Sequence, residues 1–129
     1  ILPHTAGELG FEDIIDPDSG IHAGVKYLAF LRDRYYSAPS IAPDARIDFT
    51  FAAYNAGPAR IRSLRAKAEA EGYDPNRWFD NVEVVVAREV GREPVTYVAN
   101  ILKYYAAYSL AISRQQQRAA ERDRVMQDG

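Results

Sequence analysis

The stretch Ala52-Ala53-Tyr54-Asn55-Ala56-Gly57-Pro58 limits what this chain can fold into more than any other. Upstream of the stop, Ile47, Phe51 and Tyr54 recur at spacings of four and three, which places them on one face of a helix. Gly57 is the residue type that takes a positive φ at a helix C-terminus, and Pro58, lacking an N–H, suits the first turn of the next helix. The segment predicts a corner where one helix ends and another begins at once, with a phenol and an amide side by side at the tip. Taken alone, the corner has two readings. Either Tyr54 covers a core and Asn55 satisfies a turn, or both face a ligand.

Periodicity extends the helical pattern in both directions. Ile21, Val25, Leu28, Leu31 and Tyr35 form a stripe, with Asp18 or Ser19 placed to cap its start. Pro39 and Pro43 mark a loop before the helix that ends at Gly57. The next helix starts at Pro58, buries Ile61, Leu64 and Ala68, and stops at Gly72. A fourth is predicted from Trp78 to Val90, presenting Phe79, Val82, Val85 and Val86 inward. Val84-Val85-Val86 has strand-forming residues, but its polar neighbours do not alternate, so helix is the better assignment. The last helix starts near Pro94 and turns Val98, Ile101, Leu102, Tyr105 and Ala106 inward. Beyond Ile112 the stripe fades, so residues 113–129 are expected to form a polar helical or frayed tail to a domain of residues 1–112. The expected class is all-α, several medium helices around one core.

Composition excludes several functions. The chain has 129 residues, 47% of them hydrophobic, and a net charge of −2, so no global basic field exists to hold nucleic acid or an anionic membrane. No apolar run approaches the ~18 residues of a membrane span, and no signal-peptide pattern opens the sequence. A start at Ile1 rather than Met fits a processed product or a fragment. His4 and His22 are far apart, no zinc-ligand spacing occurs, and there are no cysteines, so no metal or cofactor is expected. Residues 16–20 resemble the start of a calcium loop, but Gly20 falls one position early and Tyr27 stands where the bidentate Glu belongs. They are read as a turn and helix cap. Arg60, Arg62, Arg65 and Lys67, with Glu69 and Glu71 nearby, are read as a solvated helix face. Nine tyrosines suit an aromatic groove for a polar ligand as well as they suit ordinary packing. Nothing in the sequence sets an oligomeric state.

Two later segments carry further chemistry. In Gly91-Arg92-Glu93-Pro94-Val95-Thr96-Tyr97-Val98-Ala99-Asn100, Glu93 sits at a helix N-terminus, where the dipole favours a carboxylate. Tyr97 follows one turn later and Asn100 nearly one more. Such a column can hydrogen-bond a sugar, or Glu93 can be a cap and Tyr97 a core residue. The other segment is Arg77-Trp78-Phe79-Asp80-Asn81-Val82-Glu83.

In order, A-A-Y-N-A-G-P, W-F-D-N-V-E and G-R-E-x-V-x-Y-V-x-N-I-x-K-Y-Y resemble the family 1 lytic transglycosylases, the soluble-lytic-transglycosylase (SLT) domains of lysozyme-like fold. Within the family the likeness is nearest to the branch that includes membrane-bound lytic transglycosylase F, and it covers roughly residues 1–110. Asp16-Pro17 and the run from Ile21 to Leu28 also look like the family's segment ahead of the corner. The resemblance implies cleavage of the β-1,4 bond between N-acetylmuramic acid and N-acetylglucosamine in peptidoglycan, in the periplasm or at the outer membrane. It implies that one Glu acts as acid and then base while the muramoyl C6 hydroxyl attacks, leaving a 1,6-anhydro end.

Carried over position by position, the resemblance makes Tyr54, Asn55, Glu93 and Tyr97 substrate-binding residues, with Glu83 a weaker candidate for the wall. The family's catalytic Glu precedes a G-L-M-Q motif that runs into a segment like Ile1-Leu2-Pro3, so that residue is expected upstream of Ile1. Glu8, Glu12 and Glu83 match other positions. No catalytic residue is therefore assigned within the chain, which is expected to lack the first, Glu-bearing segment of the fold. Two alternatives remain at this level: a non-catalytic peptidoglycan- or chitooligosaccharide-binding module of the same fold, and a helical interaction domain whose tyrosines only pack.

Overall fold

The structure, a computed structural model, describes residues 24–128. The expected capping by Asp18 or Ser19, the start of the first stripe at Ile21 and the residue 16–20 turn lie outside the described residues. Five α-helices follow one another: α1 (Val25–Tyr35), α2 (Pro43–Ala56), α3 (Pro58–Ala70), α4 (Glu83–Glu89) and α5 (Arg92–Asp128). No strand occurs among the described residues, so the fold is all-α.

α2 is the axis of the domain and packs against α1, α3 and α5. Phe49, Phe51, Ala52 and Ala53 are all buried, and the two alanines let neighbouring helices approach closely where a larger side chain would hold them apart. α1 contributes Val25, Leu28 and Leu31, α3 contributes Ile61, Leu64 and Ala68, and α4 contributes Val85 and Val86. These are the stripes that periodicity predicts. At the end of α1 the stripe changes hands: Tyr35 is 37% exposed, whereas Tyr36, the first residue past the helix, is 2% exposed and stacks on Phe49 at 5.5 Å. The chain leaves helical geometry at Tyr36 (φ −127, ψ 26), which swings that ring inward in place of its neighbour.

The loop from α1 to α2 is tied by Arg46, whose Nε donates to the carbonyl of Ile41 (2.9 Å) and Nη2 to that of Ala38 (3.0 Å). Buried Thr50 satisfies its hydroxyl by donating to the Arg46 carbonyl one turn back (2.6 Å).

Arg65 departs from the solvated face expected for α3. Its guanidinium lies 4.9 Å from the Phe49 ring centre and 5.7 Å from that of Tyr36. Its Nε donates to the Pro75 carbonyl (2.8 Å) and its Nη2 to Asn76 Oδ1 (2.9 Å). A planar cation with a fixed fork of donors can stack on rings and tie a loop at once. The rest of that face is conventional: Lys67 pairs with Glu89, and Arg88 makes a two-pronged contact with Glu71 at 2.8 and 2.6 Å.

The predicted helix from Trp78 is interrupted. Trp78 is 1% exposed and meets Phe49 edge-on at 6.1 Å. Phe79 then takes an extended conformation (ψ 132) and Asp80 a left-handed one (φ 61, ψ 7), so regular helix resumes only at Glu83. Phe79 is consequently 46% exposed rather than inward. α5 begins two residues before Pro94, which is buried, and continues through Asp128. Val98 is fully buried, Ile101, Leu102 and Tyr105 pack on the core, and Tyr105 meets Phe51 edge-on at 5.7 Å. Ala106 is exposed instead of inward, because eight residues of helix rotate it roughly 80° from Val98. All side chains from Glu121 to Asp128 are exposed.

Candidate functional site

The Tyr54 corner forms as the residue types dictate. Gly57 adopts φ 96, its N–H donates to the Ala53 carbonyl at 2.8 Å, and Pro58 starts α3. Backbone alone closes the corner. The Asn55 side chain, exposed at the tip, makes no hydrogen bond to another described residue.

Tyr54 is 44% exposed and leans on Tyr27 of α1, ring centres 5.9 Å apart at 54°. A Cβ built on Gly24 would meet the Tyr54 hydroxyl at 3.0 Å, so the absence of a side chain there leaves room for the phenol. Tyr97, half-buried in the first turns of α5, lies near enough to Tyr54 for the two phenols to interact. Burial chiefly, and then the Tyr54 phenol, hold the Tyr97 hydroxyl above its ordinary pKa, so it stays a neutral donor and acceptor at physiological pH. Glu93, one turn before Tyr97, is exposed and makes no ion pair or hydrogen bond with a described residue. The structure thus brings Tyr54 and Tyr97 together, sets Glu93 a turn away along α5, and leaves Asn55 at the rim. Glu83 is engaged elsewhere, since its Oε1 accepts the Asp80 N–H at 3.0 Å and holds the turn ahead of α4.

Tyr27 is the neighbour that the sequence reading missed. Its signal was available: Tyr27 and Phe30, spaced by three, lie on the outer side of α1, away from Val25, Leu28 and Leu31. Both are about half exposed and stack at 6.2 Å. Three aromatic faces with hydroxyls, and an amide and a carboxylate that no described residue engages, suit a neutral polyhydroxylated ligand, whose C–H faces stack and whose hydroxyls need both donors and acceptors.

A separate cavity of about 390 Å³ is lined by Asp44, Asp48, Asp74, Arg77, Trp78 and Phe79 among others. Burial, reinforced by Asp44 and Glu83, pushes the Asp48 carboxyl up to about 7. No group of three or more His, Cys, Asp or Glu among the described residues could hold a metal ion, and no described helix is long and apolar enough to cross a membrane.

The sequence matches the Transglycosylase SLT domain family over residues 1–76. It is 34% identical over 119 residues to membrane-bound lytic murein transglycosylase F of Pseudomonas fluorescens strain Pf-5, covering 81% of this chain and 24% of that protein. Proteins of the same name from Stutzerimonas stutzeri and Desulfosudis oleivorans are each 38% identical, over 117 and 114 residues, covering 78% of this chain and 23% and 25% of theirs. The chain spans about a quarter of the length of the curated relatives it matches. No solved structure matches it. The motif order, the all-α fold and the match over the corner give one conclusion: the chain belongs to the transglycosylase SLT domain family.

Proposed function

We propose that this protein works in the bacterial cell envelope as part of a peptidoglycan lytic transglycosylase, and that the Tyr54 corner is one wall of its glycan cleft. The observation that carries the reading is the juxtaposition of Tyr54, Tyr97 and Tyr27 beside an amide that no described residue engages, in a chain of the SLT family. Tyr54 and Tyr97 bind the sugars at the cleavage site, with Asn55 and Glu93 hydrogen-bonding at its edges. In the reaction that the resemblance implies, a Glu supplied from residues ahead of Ile1 in the parent protein protonates the glycosidic oxygen as the C1–O4 bond breaks. The same Glu then takes the proton of the muramoyl C6 hydroxyl as O6 bonds to C1. No water is consumed, so the product is a 1,6-anhydro ring. A single carboxylate thereby replaces the usual pair of a glycosidase.

The test is digestion of purified peptidoglycan, followed by mass spectrometry. The full-length parent is expected to release muropeptides lighter by one water than hydrolysis products, and Tyr54→Ala in the parent to lower the rate by about tenfold or more, the worth of one lost hydrogen bond near the reacting centre. This chain alone is expected to release none. Hydrolysed rather than anhydro ends, or turnover by the isolated chain, would defeat the reading. Glycan binding without turnover by the parent would instead establish a binding module.

A further inference from the structure

At the other end of α1 from Tyr27, a cavity of about 280 Å³ is lined by Arg34, Tyr35, Tyr36, Pro58, Arg62 and Arg65. We propose that this cavity is an anion site that takes a carboxylate of the peptide attached to the glycan strand. The inference rests on the peptidoglycan reading above and names the part of that substrate the arginines would recognise.

Three arginines from two helices line it, and no carboxylate is among the residues lining the cavity. Glu69, one turn further along α3, acts on Arg65 electrostatically but does not line the cavity. Arg65 is held in place before any ligand arrives. Its Nε and Nη2 are committed to Pro75 and Asn76 and its plane stacks over Phe49, which leaves the Nη1 hydrogens to be shared. Arg34 and Arg62 are exposed, and neither makes an ion pair with a described residue. A cluster of like charges around one partly dry guanidinium is relieved by an anion, and a carboxylate matches a planar fork of donors. Burial, which holds the Arg65 pKa below its ordinary value, acts in the same direction.

The position suits a peptide that hangs from a bound sugar. Tyr27, Phe30 and Arg34 fall at i, i+3 and i+7 and are all exposed, so one ledge of α1 leads from the tyrosine corner to the arginines. Seven residues of helix span about 10 Å, the reach of about three residues of extended peptide. Pro58, which ends the Tyr54 corner, is also a wall of the cavity.

The test compares a peptide-free chitooligosaccharide with a muropeptide of similar glycan length, titrated into the full chain and into Arg34→Ala, Arg62→Ala and Tyr54→Ala. The two arginines are exposed, so their variants are expected to fold; Arg65 is left intact because it holds the residue 75–76 turn. The wild type is expected to bind the muropeptide more tightly. Each arginine variant is expected to lose about tenfold for the muropeptide, the scale of one charge-assisted hydrogen bond, with no change for the bare glycan. Tyr54→Ala is expected to weaken both. Equal wild-type affinity for the two ligands, or arginine variants that treat them alike, overturns the proposal. If neither glycan binds, the cleft reading fails, and the free stem peptide decides this site. Shifts of the Arg34 and Arg62 side-chain NMR signals that vanish when its carboxylates are amidated support an anion site, and no shifts refute one.

Discussion

Two junctions of this molecule solve the same problem by different means. At residues 54–58 one helix stops and another starts through Gly57 at φ 96, a backbone bond to Ala53 and a proline that opens α3. At residues 78–82 the chain makes an equally abrupt change through Asp80, a non-glycine residue at φ 61. There the side chains do the closing. Glu83 accepts the Asp80 N–H, and Asn81 both accepts the Asp74 N–H at 2.9 Å and donates to the Phe79 carbonyl at 3.0 Å. The first junction is a local property of its residues, whereas the second is imposed by where Trp78 must go. Burying an indole removes roughly 150–250 Å² from water, about 4–6 kcal/mol at the usual area coefficient. That outweighs the ~1–2 kcal/mol of a left-handed L-residue. It also outweighs the ~1–3 kcal/mol for the Trp78 Nε1, which finds no hydrogen-bond partner among the described residues.

If that contrast is right, the largest effect belongs to Trp78→Ala. It is expected to destabilise by about 3–5 kcal/mol in urea unfolding, because it empties the space against Phe49 and removes the reason for the turn. A loss below ~1 kcal/mol would mean that the turn holds itself, and the two junctions would be of one kind. Next comes Gly57→Ala. No described residue lies within 4 Å of a Cβ built there, so its cost is the backbone alone, about 1–3 kcal/mol for an L-residue forced into this conformation. The same variant is expected to weaken glycan binding by displacing Tyr54, which Trp78→Ala would do only by unfolding.

The contrast also explains what could be read from the sequence. Helix positions and the Gly57 corner were legible because apolar spacing, glycine and proline act within a few residues. The failures were tertiary. Phe79 looked inward on a helix that Trp78 interrupts, and Tyr35 gave its place to Tyr36 once the helix ended. Arg65 looked solvated because only the fold places Phe49 and Tyr36 beneath it. At the candidate site Tyr54 and Tyr97 were named from motif order, and the structure sets them together. The outward face of Tyr27 and Phe30 was legible from their spacing, but its pairing with Tyr54, 27 positions away, was not, because neither period nor motif links the two. Asp48 carried no sequence signal at all, because its environment is made by two separate segments, residues 40–48 and 74–79.

Asp48 gives a smaller, pH-dependent test of the second junction, as it lines the same cavity as Trp78 and Phe79. Its carboxyl is raised from 3.8 to about 7 in the fold, chiefly by burial and then by Asp44 and Glu83. Between about pH 4 and 7 the folded state therefore keeps a proton that the unfolded chain has released, and stability falls as pH rises through that range. Asp48→Asn is expected to leave the melting temperature at pH 4 nearly unchanged and to raise it at pH 8, flattening the profile. Partial exposure of the group keeps the gain below that of the Trp78 and Gly57 variants. Parallel profiles for variant and wild type would show that the cavity is wetter than its lining implies, and that the junction carries no buried charge to relieve.

The smallest expected effect is the most discriminating. Asp80→Gly removes the steric cost of φ 61, at the lower end of ~1–2 kcal/mol because Asp tolerates this region, but gives the unfolded chain about 0.5–1 kcal/mol more freedom, and the two terms oppose each other. The Asp80 contribution to the turn is its backbone N–H, donated to Glu83, which glycine retains. The net change in urea unfolding is therefore expected to stay within about 0.5 kcal/mol, against the 1–3 expected for Gly57→Ala. That asymmetry follows only if conformation is specified by residue type at the first junction and by the buried indole at the second. A loss above ~1 kcal/mol for Asp80→Gly would show that the aspartate side chain itself shapes the turn, as Asp often does in local turns. The rule for placing α4 would then lie in the sequence after all, in Asp80-Asn81 rather than in Trp78.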